Sequence, residues 1–361
     1  MLKYLGFKTV LLIFFLFFHF FSFAGNYFNQ NRDTSLLLPF QYNRLEIFLK
    51  KYRDIQSDGG WGKIISGKKV YKPGDTSAVV SEVRRHLFVT GDLIKDNKSP
   101  VFDSLLYTSI ITYRNRTGLK TDGKIDATLI AEMNIPIEKR IQKIKVNLER
   151  IKRMYSESGD DFLLVNIPEF RLHIYEKSVP VHNMKVIIGQ PNHKTVVFNG
   201  KIRYVVFCPY WNVPKSILNN EILPIIRRHP GYLSSKNMEW EGGLLRQKPG
   251  PDNSLGLIKF IFPNSHNIYM HDTPTKSLFS QNQRTFSHGC IRLENARWLA
   301  GYLLRNDSQW NSATIDAAIS RRVEQYVALK KPVPVYIAYF TAWVDETGRI
   351  NFRKDIYNKD N

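Results

Sequence analysis

The chain's two cysteines, Cys208 and Cys290, stand in different company. Cys290 lies in Ser287-His288-Gly289-Cys290-Ile291-Arg292-Leu293-Glu294-Asn295, directly after a glycine and close to His288 and Arg292. The thiolate is the reactive form of cysteine, and cationic neighbours lower the ordinary thiol pKa of about 8.5. This setting is therefore expected to activate Cys290. Cys208, in Val206-Phe207-Cys208-Pro209, ends an apolar run, where a free cysteine behaves as a small hydrophobe, so it is expected in the core. Upstream of Cys290 by 19 residues, Tyr269-Met270-His271-Asp272-Thr273-Pro274 sets a histidine at the end of a strand. A Cys–His pair supplies an activated nucleophile for acyl transfer. The nine histidines form no HExxH motif or other close ligand cluster, so no metal and no cofactor is expected.

The elements that must bring His271 and Cys290 together begin at Asp161. From there, short runs rich in β-branched and aromatic residues (162–167, 171–175, 184–188, 202–207, 258–262 and 267–271) read as strands punctuated by Pro and Gly. Residues 219–228 and 296–304 read as helices, and 334–339 with 342–344 as a closing hairpin or strand pair. Between about 211 and 263 the β texture is interrupted by a helix and by Pro230-Gly231, Gly242-Gly243 and Lys248-Pro249-Gly250-Pro251. Loops this long inside a compact domain are usually functional, so 212–257 is expected to be an inserted lid.

Before the β region the periodicity is helical. Leu45, Phe48, Leu49 and Tyr52 share one face, as do Val79, Val80, Val83 and Leu87. Residues 138–157 carry Ile141, Ile144, Leu148, Ile151 and Tyr155 on an otherwise charged helix, an apolar stripe expected to pack on a core. The first two dozen residues combine Lys3 and Lys8 with an apolar run over 10–23 and small residues before Gly25, the pattern of an export signal cleaved after Ala24. An uncleaved anchor is the alternative, and only then would the chain touch a membrane.

With 361 residues, 43% hydrophobic and 23% charged, the chain can fold into two or three domains. Two cysteines are too few for a disulfide scaffold. The net charge of +20 favours anionic partners. Export argues against nucleic acid and toward anionic polymers of the cell envelope.

Two resemblances sharpen this reading. Val83-Arg84-Arg85-His86-Leu87 and Tyr113…Gly118-Leu119…Asp122-Gly123…Thr128 resemble a small helical peptidoglycan-binding module. Histidine, spacer, Ser-His-Gly-Cys and Arg resemble the L,D-transpeptidase catalytic domain of YkuD type, along with "LLVNIPEFRLHIY", "VIIGQPNHKT", "WNVPKSI", "PGPDNSLG" and "YIAYFTAWVDETGRINFR". The features look like the large subgroup with an N-terminal binding module and an inserted capping subdomain. The fold expected is α+β and multi-domain, a small helical module followed by a mostly β catalytic domain with a helical or loop lid. The expected layout is 1–24 signal or anchor, 25–73 scaffold, 74–137 binding-like module, 138–160 linker helix and 161–361 catalytic domain.

The resemblance implies that Cys290 attacks the third-residue carbonyl of a peptidoglycan tetrapeptide stem, releasing D-alanine and leaving a thioester for an amine of a neighbouring stem. His271 would take the thiol proton, the backbone carbonyl of Asp272 would orient His271, and the N–H groups of Gly289 and Cys290 would form an oxyanion hole. Arg292 and His288 are expected to hold substrate, Arg292 through a stem carboxylate, and Tyr269 and Trp211 to line the donor groove. The expected location is the periplasm or cell envelope. Alternatives are a noncatalytic peptidoglycan-binding scaffold, an L,D-carboxypeptidase and a sortase-like cysteine acyltransferase. The acceptor and the oligomeric state stay open.

Overall fold

A computed structural model describes residues 38–67, 70–154 and 161–360. The expected signal segment, residues 25–37 of the scaffold segment and residues 155–160 of the linker lie outside the described residues.

Among the described residues, five helices precede the sheet. These are α1 (Pro39–Ser57), α2 (Ala78–Thr90), α3 (Ser104–Arg116), α4 (Ala127–Met133) and α5 (Ile137–Lys152). Their starts follow local chemistry. Proline opens α1, where no intrahelical N–H is needed. Ser77, Asp103 and Asp126 cap α2, α3 and α4 by accepting from the N–H groups of Val79, Leu106 and Leu129. Helices α2 to α4 enclose their own core of Val80, Val83, Leu87, Leu106, Ile110, Leu129 and Met133. The stripe Ile137, Ile141, Ile144, Leu148, Ile151 of α5 instead packs with α1 on the outer face of the catalytic domain.

That domain is built from β1 (Phe162–Asn166), β2 (Arg171–Glu176), β3 (Val179–Gly189), β4 (Phe198–Phe207), β5 (Ile258–Ile261), β6 (Met270–His271), β7 (Thr285–Ser287), β8 (Ile291–Leu293) and β9 (Gln325–Ala338). The strand order is β7-β3-β8-β6-β5-β4-β9-β1-β2, and β2 also pairs with β3, so the sheet closes on itself. Its interior is apolar, with Leu163, Val165, Ile188, Val205, Phe260, Met270 and Ile291 all buried. Helices α6 (Ala296–Leu304) and α7 (Ser312–Ser320) complete this core. A hairpin of β10 (Ala342–Val344) and β11 (Ile350–Phe352) leaves the sheet and packs on α1 and α5. It ties the helices down through polar bonds too. The Gln41 amide donates to the Val344 carbonyl at 2.6 Å and accepts the Val344 N–H at 3.0 Å. Arg116 donates to the Ile350 carbonyl and Arg353 to the Arg116 carbonyl.

The insertion differs from the expected helix and loop. Residues 215–228 are helical, but Trp211–Asn212, Met238–Glu241 and Leu244–Gln247 form a three-stranded sheet around the Gly242-Gly243 turn. Val213, Ile222, Met238 and Leu245 give this layer a core of its own. Buried Asn253 closes its neck, donating to the carbonyls of Pro209, Gln247 and Lys248.

Candidate active site

The site is assembled by register. On β5 and β6, Lys259 stands opposite His271, and on β6 and β8 His271 stands opposite Arg292. Directly paired residues share a face of a sheet, and residues two apart on a strand share it as well. Lys259, Tyr269, His271, Cys290 and Arg292 therefore lie on one face, while Phe260, Met270 and Ile291 between them point into the core. A parallel pairing of two very short strands brings the two motifs together.

His271 is buried, and its Nδ1–H donates to the Asp272 carbonyl at 2.5 Å. That bond fixes the tautomer and leaves the Nε2 lone pair for a proton. The Asp272 carboxylate is held in turn by the Leu257 N–H at 3.0 Å and by Lys276 Nζ at 2.5 Å. Gly256 makes room for it. Its φ of +63° suits glycine, and a Cβ there would come within 2.6 Å of the Asp272 Cβ. Burial, reinforced by the positive charges of Arg292 and Lys259, pushes His271 down to about 3, against the backbone bonds at Asp272 and Leu255. The imidazole is thus neutral over the physiological range.

Cys290 follows a tight loop in which Gly289 adopts φ +112°, a conformation that favours glycine. Ser287 Oγ donates to the Cys290 carbonyl at 2.5 Å and accepts the Gly289 N–H at 3.2 Å. Of the two amides expected to stabilise an oxyanion, Gly289's is therefore engaged by Ser287. The loop is braced from β3, since Thr195 Oγ1 donates to the Gly289 carbonyl and accepts the Gly189 N–H. Tyr357 locks this brace by donating to the Gly189 carbonyl at 2.5 Å. Thr195 and Tyr357 sit inside or near sequence segments that mark the resemblance, but nothing in their spacing announced this bracing.

The thiol is not activated in the way its neighbours suggest. Burial dominates and pushes Cys290 up, although the Tyr269 backbone and hydroxyl, Lys259 and Arg292 all pull the other way. The thiol donates to the Asn267 carbonyl at 3.8 Å. A neutral thiol and a neutral imidazole on one sheet face call for proton transfer as the sulfur attacks, rather than a standing thiolate. Cys208 is fully buried and donates to the Ile319 carbonyl at 3.2 Å, a packing role as expected.

The remaining residues divide. Tyr269 lies at the thiol, its ring centroid 5.7 Å from that of His271. Arg292 is at the site with its Nε buried and unbonded. His288 turns toward the insertion, with Nε2 2.7 Å from Glu221 Oε1, so it joins the Cys290 loop to residues 212–257. Trp211 pairs with Gln247 and packs on the core of the insertion. Lys259, absent from the sequence expectations, sits with Nζ 4.0 Å over the Tyr269 ring. Alternation within 258–261 places it beside the histidine only once the β5–β6 register is known. Among the described residues, no three His, Cys, Asp or Glu side chains gather as a metal site.

Comparison with known proteins finds likenesses within one family. Residues 160–335 match the YkuD family model, the L,D-transpeptidase catalytic domain. A Haemophilus influenzae protein whose assignment as an L,D-transpeptidase is itself provisional is 31% identical over 252 residues, covering 63% of this chain and 50% of that protein. The chain thus spans about half the length of this curated relative. Among solved structures, an L,D-transpeptidase from Mycobacterium smegmatis is 16% identical with a TM-score of 0.27, covering 50% of this chain and 59% of its own. L,D-transpeptidase 3 from Mycobacterium tuberculosis, in complex with a faropenem-derived adduct, is 15% identical with a TM-score of 0.27, covering 50% and 61%.

Proposed function

We propose that the chain, whose residues 160–335 belong to the YkuD family of L,D-transpeptidase catalytic domains, is a cysteine L,D-transpeptidase of peptidoglycan. The observation that carries this reading is the His271 tautomer, fixed by the Asp272 carbonyl, on the same sheet face as Cys290 within the matched segment.

In the first half-reaction the Cys290 sulfur attacks the carbonyl carbon of the third residue of a donor tetrapeptide stem. The thiol proton passes to His271 Nε2. Collapse of the tetrahedral intermediate breaks the amide C–N bond, and the proton goes on to the nitrogen of the departing D-alanine. With the Gly289 N–H held by Ser287, the Cys290 N–H is the candidate oxyanion donor. In the second half-reaction an amine of a neighbouring stem attacks the thioester and gives a 3→3 cross-link. Water in its place would trim the stem. Residues 74–137 would hold the protein on the polymer, residues 1–24 would direct export to the envelope, and residues 212–257 would act as a lid through the Glu221–His288 contact.

The test is incubation of the chain and of Cys290→Ala with purified tetrapeptide muropeptides, followed by mass analysis. D-Alanine release with dimer formation, absent in the variant, supports the reading. Release without dimers makes the protein an L,D-carboxypeptidase, and no reaction from a folded chain leaves a noncatalytic scaffold.

A further inference from the structure

Lysine and arginine side chains near the site fall into two groups. Lys276 is satisfied three times over, by Asp272 and by the carbonyls of Leu293 and Glu294. Lys259 and Arg292 are not. Among the described residues Lys259 makes no ion pair, although it is half-buried and rests on the Tyr269 ring. The acidic groups that act on it are Cys290, whose thiol stays neutral, and Glu324, which already accepts the Tyr210 N–H at 2.8 Å. Arg292, two residues past the nucleophile, has a buried Nε with no acceptor. Burial weakens the charged form of both.

Two half-desolvated cations without a counter-ion are costly unless a ligand supplies the anion. The transient oxyanion does not meet this need, because it exists only during attack and is met by backbone N–H. A donor stem carries a permanent anion close by. In a tetrapeptide the leaving residue ends in a free carboxylate three bonds from the carbon that Cys290 attacks.

Building on the transpeptidase reading, we infer that Lys259 is a specificity-determining residue that receives the free C-terminal carboxylate of the donor stem, alongside Arg292. Lys259 thereby selects stems that end, as the free acid, one residue beyond the scissile bond. An amidated terminus presents no charge to it, and a stem one residue longer moves the charge away. The Lys259 ammonium sits 4.0 Å over the ring of Tyr269, a side chain that itself lies at the thiol, so a cation–π contact holds the charge beside Cys290.

The test compares a tetrapeptide stem with a free terminal acid and the same stem as its C-terminal carboxamide, reading release of D-alanine or D-alaninamide by mass spectrometry. The full chain, Lys259→Met and Lys259→Arg are assayed, with thermal melting and iodoacetamide alkylation of Cys290 as controls for an intact site. One charge-assisted hydrogen bond corresponds to about a 10- to 100-fold preference in kcat/KM for the acid. Lys259→Met is expected to collapse that ratio to about threefold or less, and Lys259→Arg to keep most of it. Should Lys259→Met fail the controls, Lys259→Gln takes its place. An unchanged ratio in a folded Lys259→Met protein, or equal losses on both substrates, overturns the inference while leaving the transpeptidase reading in place. If the unmodified chain releases neither product, the reading beneath it has failed instead.

Discussion

In the helical module, buried arginines are matched to carboxylates. Arg84 meets Asp103 at 2.8 Å, Arg140 meets Glu132 at 2.6 Å, and Arg116 grips Asp92 through both Nε and Nη2. Around Cys290 the opposite holds, since Arg292 and Lys259 lose hydration without gaining a carboxylate partner. The two regions also share a buried neutral histidine. His86 sits between Trp61 and Tyr113, with burial pushing it down to about 3, as for His271. His86 spends its ring on packing, and its Nδ1 has no partner. His271 has an oriented Nδ1–H and a sheet face shared with a thiol. Similar depressed basicity thus accompanies packing in one place and, on the proposed reading, chemistry in the other, and partners distinguish the two.

The widest separation between the regions is expected from matched histidine variants. His271→Gln should lower acyl transfer by about 10²- to 10⁴-fold, the usual share of a general base. His86→Gln should leave turnover at permissive temperature near wild type and destabilise the fold by about 1–3 kcal/mol. Steady-state kinetics beside chemical denaturation reads both. Equal activity losses would erase the distinction.

Arginine variants sharpen it next, through opposite signs of stability. Arg116→Met abandons a buried Asp92 and should cost about 3–5 kcal/mol. Arg292→Met removes a half-buried cation whose Nε has no acceptor and should leave stability unchanged or raise it by about 1 kcal/mol, while slowing turnover. A large stability loss for Arg292→Met would show that this arginine has a structural partner after all.

A further effect is graded with pH. Both histidines have folded pKa values depressed below the ordinary 6.5, so their contribution is fully present above 6.5 and is lost as pH falls toward 3. Each should contribute a slope of about 1.4 kcal/mol per pH unit in that window. His86→Gln should remove one of the two slopes. A denaturation midpoint flat between pH 6.5 and 5 would contradict the burial of both rings.

Much of this was legible in the sequence, for local reasons. Helix α2, with its Ser77 cap, and helix α5, with its period-3.6 apolar stripe, follow from short-range chemistry, whereas the link between the Ser-His-Gly-Cys loop and the upstream histidine was expected mainly from a resemblance to a known family. What escaped depends on pairing between distant segments. The strand expected over 267–271 shortens to Met270–His271 because Asn264 holds the preceding turn through the Phe262 and Ile268 carbonyls. The cap sheet escaped because its strands are two to four residues long and find each other only across the insertion. The glycine pair joining two of them was a hairpin signal read only as an interruption. Activation of Cys290 by cations was expected from neighbours in sequence, whereas desolvation, which wins, is a property of the folded site.

The most direct measurement is intact-mass and peptide-mapping analysis of the full chain after exposure to a carbapenem, whose strained carbonyl a catalytic thiol opens to a thioester. One adduct per chain, mapped to Cys290, absent from Cys290→Ala and strongly slowed in His271→Gln, is the expected result. An adduct on Cys208, or a folded chain whose Cys290 stays unmodified, would contradict the assignment of Cys290 and His271 as the reacting pair.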